Sequence, residues 1–489
     1  MENLQKIAFQ KSGSAQQYRT MYQTQARNFS SFGQVYDSCI NQYRSKLSTI
    51  LGSNSGQNKY SRILAGSATL IGGMFLLKNQ SMSFKLQNAE CDAKQQKLLL
   101  SWGNGQNGQL GNGNETLSLS IPSPVQVLSD EDIIQVNASG DISAAVTSQG
   151  QIYTWGKTRG GSLSQQKSLS RATNLLLPTL IVAPEVQFVQ VACGKTHLAG
   201  VTKDGKLITW GNPDQGKLGH NAQLQQESKN KSYSPRSYAD YNAINFVGGA
   251  LESKKIIQAS CGFQHTACLT QDGEVYTWGF GKNGALGHGN WDQVDLPKKV
   301  EGLSNIVKID CGMDYTFALD KDGNIYSWGS NRYGQLGTTQ SNINKHNVPI
   351  QLQLPHGSSH VVDISCGEEH SAFLNDKGEA FIWGYGNDGQ LGHKEKTNLN
   401  QPKKLEFTEP LRRVVCGGGH TGVITTAGKL FLFGRGRDGQ LGRGDVNESM
   451  AAFRIEPKEV VNISQTLKAE VLEIALGSNH CLAIAAKNL

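Results

Sequence analysis

The chain has 489 residues, enough for one large repeat domain or three ordinary ones. Glycine is abundant at 56 residues and charged residues make up only 18%, a composition that suits many short strands joined by turns. Of the 47 basic and 40 acidic residues, 11 and 4 fall in residues 1–96, so residues 97–489 carry 36 of each. The formal charge of +7 therefore sits in the leader, and the neutral remainder has no general electrostatic reason to bind nucleic acid. A local patch at Arg435, Arg437, Arg443 and Arg454 is most simply a solvated face.

Residues 1–62 hold eight basic and two acidic residues among many Ser, Gln and Tyr. This reads as a mitochondrial presequence over 1–29, with Arg27, Phe29 and Ser30 matching a matrix-processing cut after Phe29. A Gln/Asn-rich tail with no targeting role is the alternative. A linker, 30–62, leads to fifteen uncharged, mostly apolar residues at 63–77, between Arg62 and Lys78. Ile63, Leu64, Leu70, Ile71, Phe75, Leu76 and Leu77 supply its apolar surface. As a helix it covers about 22 Å of a ~30 Å hydrocarbon core, and snorkelling by Arg62 and Lys78 extends it. It reads as one short transmembrane helix anchoring the chain. A sorting segment removed after import and a buried or interfacial helix remain as alternatives. Basic residues flank it on both sides, so topology stays open. Residues 78–96 are a polar linker.

From Lys97 a ten-residue frame recurs: WGNGQNGQLG (102–111), WGKTRGGSLS (155–164), WGNPDQGKLG (210–219), WGFGKNGALG (278–287), WGSNRYGQLG (328–337), WGYGNDGQLG (383–392) and FGRGRDGQLG (433–442). The Gly-x-Gly-x-x-Gly inside it can signal a phosphate-binding turn, but one site needs one copy. Seven copies at intervals of 50 to 55 residues, with one of 68, indicate a repeat array with tight turns at the glycines. Around each frame the pattern has period 2. An apolar run ends in Cys-Gly (VVDISCG, 361–367). A strand follows (HSAFLN, 370–375), then a two-residue turn (Lys377-Gly378, or Asp204-Gly205 elsewhere), then a strand ending at the aromatic-glycine pair. Short segments near PKKV (297–300) and PKKL (402–405) complete four-stranded units. The fold class is all-β: a seven-bladed propeller over 97–489. Lys97–Gly103 lacks its hairpin partner and 476–487 supplies one, so the two ends close the ring and hide both edges.

These residues resemble the repeat family named for the regulator of chromosome condensation, whose units end in aromatic-Gly-x-Gly-x-x-Gly-x-Leu-Gly and include a Cys-Gly-x-x-His step. The resemblance covers 97–489 and implies the fold. Its members include a chromatin-bound exchange factor for a small GTPase, ubiquitin ligases, ciliary proteins, plant photoreceptors, and mitochondrial proteins tied to ribosomes or respiratory-complex assembly. The founder's exchange wedge has its nearest counterpart in the stretch 220–255, where Tyr233, Arg236, Tyr238 and Tyr241 are candidate partner-binding residues. The founder's basic tail is replaced by the leader described above.

Of nine cysteines, Cys193, Cys261, Cys311, Cys366 and Cys416 share one repeat position and read as small buried side chains, not as a disulfide framework. His197, His265, His370, His420 and His480 share another, with Tyr315 and Ile142 in the remaining units. They are expected to satisfy backbone groups at strand starts, because a metal would need several ligands converging and these stand one per blade. No catalytic constellation stands apart from the repeats. The expectation is a non-enzymatic scaffold with no cofactor and no metal. It acts at the mitochondrial inner membrane, as a subunit or assembly factor of a respiratory or ribosomal complex, through protein partners. Exchange activity on an organellar small GTPase is the runner-up, and a cytosolic propeller with a disordered leader is the third reading. The candidate partner loops are 112–132, 220–255 and 338–360, together with Trp291 in HGNWDQ.

Overall fold

The computed structural model describes residues 96–115, 118–157, 174–183, 185–220, 244–338, 343–444 and 453–487. The presequence cut, the apolar segment 63–77, and Tyr233, Arg236, Tyr238 and Tyr241 lie outside them. Among the described residues no helix is long and apolar enough to cross a membrane.

Seven four-stranded antiparallel sheets follow one another around a ring. Blade 1 spans 133–180, blade 2 188–246, blade 3 256–299, blade 4 306–351, blade 5 361–404 and blade 6 411–459; blade 7 joins 469–487 to 97–124. The ring closes as expected, with Lys97–Gly103 pairing antiparallel to the last strand from Lys97 opposite Ala486 to Gly103 opposite His480. The second strand of blades 1–6 is buried along its whole length, and that of blade 7 up to Lys487, because neighbouring blades cover both of its faces. That is why HTACLT and HSAFLN, between their leading histidine and their last residue, are apolar or hydroxyl-bearing rather than alternating. The core is therefore a series of inter-blade layers, each built around one buried Trp or Phe of the repeat.

Two expectations change. The turn between the second and third strands has three residues. Gly205 N–H donates to Thr202 O (2.9 Å) and Thr202 N–H to Lys206 O (2.9 Å), enclosing Lys203, Asp204 and Gly205. Blades 1 and 3–6 repeat the pattern. This is a type I turn closed by a left-handed glycine, Gly205 at φ +84°, not a two-residue turn. The stretches 112–132 and 338–360 are also not simply loops, since they contain the outer strands Leu119–Pro124 and Lys345–Gln351. Six outer strands contain a proline (Pro122, Pro178, Pro297, Pro349, Pro402, Pro457), and the seventh is only Asn245–Phe246. Either device blunts an exposed sheet edge, and proline also weakens the strand pattern in the sequence.

Candidate functional site: signature loops, turn face and channel

The signature loop is a joint between blades. Its Gly108 and Gly111 amides donate to Gly105 O (3.0 Å) and Gly108 O (2.9 Å), so these N–H groups are spent inside the loop and not offered to a phosphate. The carbonyl just before the loop leucine points into the next blade. Gln109 O accepts from Trp155 Nε1 (2.9 Å) and Ser143 Oγ (2.8 Å). Lys217 O accepts likewise from Trp278 Nε1 (3.0 Å) and Thr266 Oγ1 (2.7 Å), and Gln335 O from Trp383 Nε1 (3.0 Å) and Ser371 Oγ (2.8 Å). Ala285 and Gln440 repeat the pattern. The indole of one repeat thus reads the glycine loop of the repeat before it.

The histidines complete this joint. His197 Nε2 meets Thr266 Oγ1 (2.9 Å), His265 meets Thr316 (2.9 Å), His370 meets Thr421 (2.8 Å) and His480 meets Ser143 (2.8 Å); His420 meets Cys481 Sγ at 3.3 Å. Each partner is a side chain of the following blade, so the expected bond to backbone at strand starts is replaced by a latch between blades. Tyr315 reaches backbone, donating to His370 O at 2.7 Å. Each Thr or Ser hydroxyl already donates its hydrogen to a loop carbonyl, so it must accept from Nε2–H. The rings are therefore the neutral Nε2–H tautomer, with Nδ1 of His197, His370, His420 and His480 lacking a hydrogen-bond partner among the described residues. Burial holds His265 and His480 at about 4 and His370 and His420 at about 3. The glycine of Cys-Gly-x-x-His makes room for the ring, since a Cβ on Gly262 would lie 2.1 Å from the His265 imidazole. The cysteines before it are free and buried, and burial pushes the Cys311 thiol up to about 12. They are inert small side chains.

Among the described residues, groups left for chemistry or recognition gather in two notable places. The first is the turn face, where the Cys-Gly turns and signature loops emerge. In the sector of blades 4 and 5, Asp314, Glu368, Glu369, Arg332, Tyr333 and Tyr385 come together, with the two tyrosine rings edge to face at 4.9 Å. Burial raises the carboxyl of Asp314, opposed by a hydrogen bond from Asn283 and by the charges of Arg332 and Lys195. Burial also raises Glu369, and the carboxylates of Glu368 and Asp314 push it further. The second place is the central channel, a cavity of about 200 Å3 between the first strands of all blades. On blades 1–3, Gln135, Gln190 and Gln258 each clamp the next blade's backbone through both amide atoms; Gln258, for instance, accepts from Ile309 N–H (2.9 Å) and donates to Ile309 O (2.8 Å). On blades 4–7 the same position holds Lys308, Asp363, Arg413 and Glu473. Asp363 pairs with both Lys308 and Arg413, the latter at 3.1 Å. Period-2 reading did not single out either place, because it registers strands and not which strand lies innermost.

Trp291 is 40% exposed, but it is not a free loop aromatic. Lys345 Nζ stands 4.3 Å above its ring, which also closes on Gly284. Of the suspected basic patch, Arg437 lies over Phe453 at 4.8 Å and Arg443 donates to Leu432 O at 2.6 Å.

Residues 178–489 match the model of the RCC1-like domain, and 98–146 and 149–201 match that of the regulator of chromosome condensation (RCC1) repeat. The chain is 34% identical over 307 residues to the ultraviolet-B receptor UVR8 of Arabidopsis thaliana, covering 63% of this chain and 65% of the receptor. It is 29% identical over 324 residues to the E3 ubiquitin-protein ligase HERC2 of Mus musculus, covering 66% of this chain but 6% of the ligase. Prp20p of Saccharomyces cerevisiae superimposes with a TM-score of 0.69 at 22% identity, over 81% of this chain and 93% of Prp20p. Human WBSCR16 gives 0.68 at 22%, over 80% and 100%. At those identities the two structures speak for the fold alone. With more than half its length matched by the domain model and the blade joints built from the repeat's own signature residues, the chain belongs to the RCC1-like repeat family of seven-bladed propellers.

Proposed function

We propose that this protein is a non-enzymatic docking propeller, and one observation carries the proposal. The histidines, cysteines and signature glycines that invite a catalytic or phosphate reading are used up as joints between blades, while the turn face gathers charged and aromatic groups. A rigid ring with fixed surface groups is suited to binding partners. We further place it at the mitochondrial inner membrane, in a respiratory or ribosomal complex; the support is the composition of the leader and of 63–77. The test is its native mass and co-migrating partners in mild-detergent extracts of isolated mitochondria. Migration within a large membrane complex that resists carbonate extraction is the expected result, and a free species of monomer size, or absence from mitochondria, overturns the placement.

Exchange activity on a small GTPase is the second reading, and the acidic sector of the turn face favours it. Glu369 carries repulsion from two neighbouring carboxylates, which a basic partner surface would relieve. Prp20p, of like fold, is described with its binding to Gsp1p and histones. An exchange factor would hold a nucleotide-free GTPase tightly and speed nucleotide release, and Glu369→Gln would weaken both.

A further inference from the structure

Every first strand carries the same burial order, at its start in blades 1–6 and from Val471 in blade 7: buried, exposed, then turned to the channel or the next blade, then buried. A register shift falls at the second of these positions in all seven blades. The extra residue of this β-bulge has no partner across the strand pair, and its side chain is turned out to water. The seven residues are Ile134, Val189, Ile257, Val307, Val362, Arg412 and Leu472, and the six apolar ones are between 38% and 52% exposed. Because the first strands line the channel, these side chains form an apolar collar around one mouth, opposite the turn face. Arg412 alone interrupts it, and its guanidinium is tied to Leu472 O at 3.1 Å.

The ring just inside the collar is electrostatically unfinished. The glutamines are satisfied by backbone, and Lys308, Asp363 and Arg413 satisfy one another. Glu473 also lines the channel, yet among the described residues no hydrogen bond or ion pair reaches it, and its neighbour Arg413 is already committed to Asp363. Burial raises its carboxyl to about 7, and the charge of Arg413, shared with Asp363, opposes that shift only in part. Asp310 and Asp363 stand against Lys308 and Arg413 in this sector, which leaves Glu473 as the carboxyl without a partner of its own inside the channel, with Arg412 outside it at the rim. Collar and carboxyl together specify an apolar surface around a cationic tip.

We propose that the collar at the strand-start mouth of the channel is a docking site for a protruding apolar protein segment bearing a lysine or arginine that reaches Glu473. This surface is separate from the turn face and does not depend on the function proposed for it. The segment's apolar side chains cover Val307, Val362 and their equivalents, and its cation completes the channel ring.

The test uses the full chain and short, capped, fluorescent peptides in which a central lysine, norleucine or glutamate is flanked by leucine and phenylalanine. Binding is read by anisotropy. The lysine peptide should bind one saturable site at least about tenfold tighter than the glutamate peptide. Glu473→Gln should erase the preference for lysine over norleucine yet leave norleucine binding in place. Val307→Asp and Val362→Asp, both at exposed positions, should each weaken the lysine and norleucine peptides about tenfold, the scale of losing an apolar anchor. The proposal falls if no peptide saturates, if the three bind alike, or if the collar variants bind as the wild type does. It falls equally if a doubling of mass abolished by Val307→Asp shows a second copy on the collar, or if neutral phospholipid vesicles displace the peptide.

Discussion

Two seams of the ring solve the same problem with opposite chemistry. Where blade 7 meets blade 1, His480 donates to Ser143, which donates to Gln109 O beside Trp155. Where blade 1 meets blade 2, Ile142 stands at the histidine position and Leu198 at the hydroxyl position, and both fall within one buried apolar cluster. Trp210 Nε1 there has no hydrogen-bond partner among the described residues. The Gln135 clamp (3.0 and 2.8 Å) and the bond from Cys193 N–H to Asn137 Oδ1 (2.9 Å) still cross the seam. Both members of the latch are thus apolar at this one seam. A lone histidine facing leucine, or a lone threonine facing isoleucine, would bury an unmet polar group, whereas exchanging both removes the requirement.

The largest expected effect separates the latched seams from the apolar one by pH. A histidine held neutral at about 4 or below binds its proton in the unfolded chain first. Its contribution is therefore complete above the unfolded value near 6.5 and is lost as pH falls from there towards the folded value. At pH 5 that is about 2 kcal/mol for each such histidine. Denaturant melts at stepped pH should show stability flat near pH 8 and falling steeply below 6.5, and a His265→Leu/Thr316→Val double variant should have a shallower slope. A slope unchanged by that variant would refute the role given to the ring.

Next in size, Gly262→Ala should destabilise by roughly 3 kcal/mol, because its Cβ would collide with the His265 imidazole, a rigid buried ring. Gly249→Ala, with nothing within 4 Å but φ at +66°, should cost only about 1 kcal/mol. Equal losses would show that backbone strain, not space for the ring, dominates at Gly262. Thr421→Val should cost about 2 kcal/mol by stripping an acceptor from His370 and a donor from Gln390 O. Adding His370→Leu should cost less than the sum of the two single changes, and strict additivity in the double-mutant cycle would sink the pairing argument. The smallest effect is expected from converting the odd seam: Ile142→His with Leu198→Thr should come within ~1 kcal/mol of wild type, while Ile142→His alone should cost about 2 kcal/mol.

Much of this was legible in the chain. The recurrence of aromatic-Gly-x-Gly-x-x-Gly-x-Leu-Gly, the orphan strand at Lys97–Gly103 and its partner at 476–487 fixed blade number and closure in advance, because hydrogen-bonded sheets leave few ways to hide two ends. The cysteines were rightly read as small buried groups. The histidines were read as structural, but with backbone partners. Their hydroxyl partners lie 51 to 69 residues away at three of the latches, a separation at which local pattern carries no signal. Trp291 is exposed, as HGNWDQ suggests, but its contact with Lys345 of the next blade is not legible in the local pattern.

The sequence alone determined the repeat, the seven blades and their closure, since these follow from alternation, turn glycines and a fixed period. It also placed the histidines and cysteines at one position per blade. Only the tertiary structure decided what those positions face. A bulge adds one residue to each first strand and shifts the alternation by a step, so strict alternation would put Val307 on the buried face of Ile309, whereas it is exposed in the folded ring. Likewise Lys308, Asp363, Arg413 and Glu473 are spread over three repeat intervals of sequence. They form one charged sector because seven innermost strands converge on one axis.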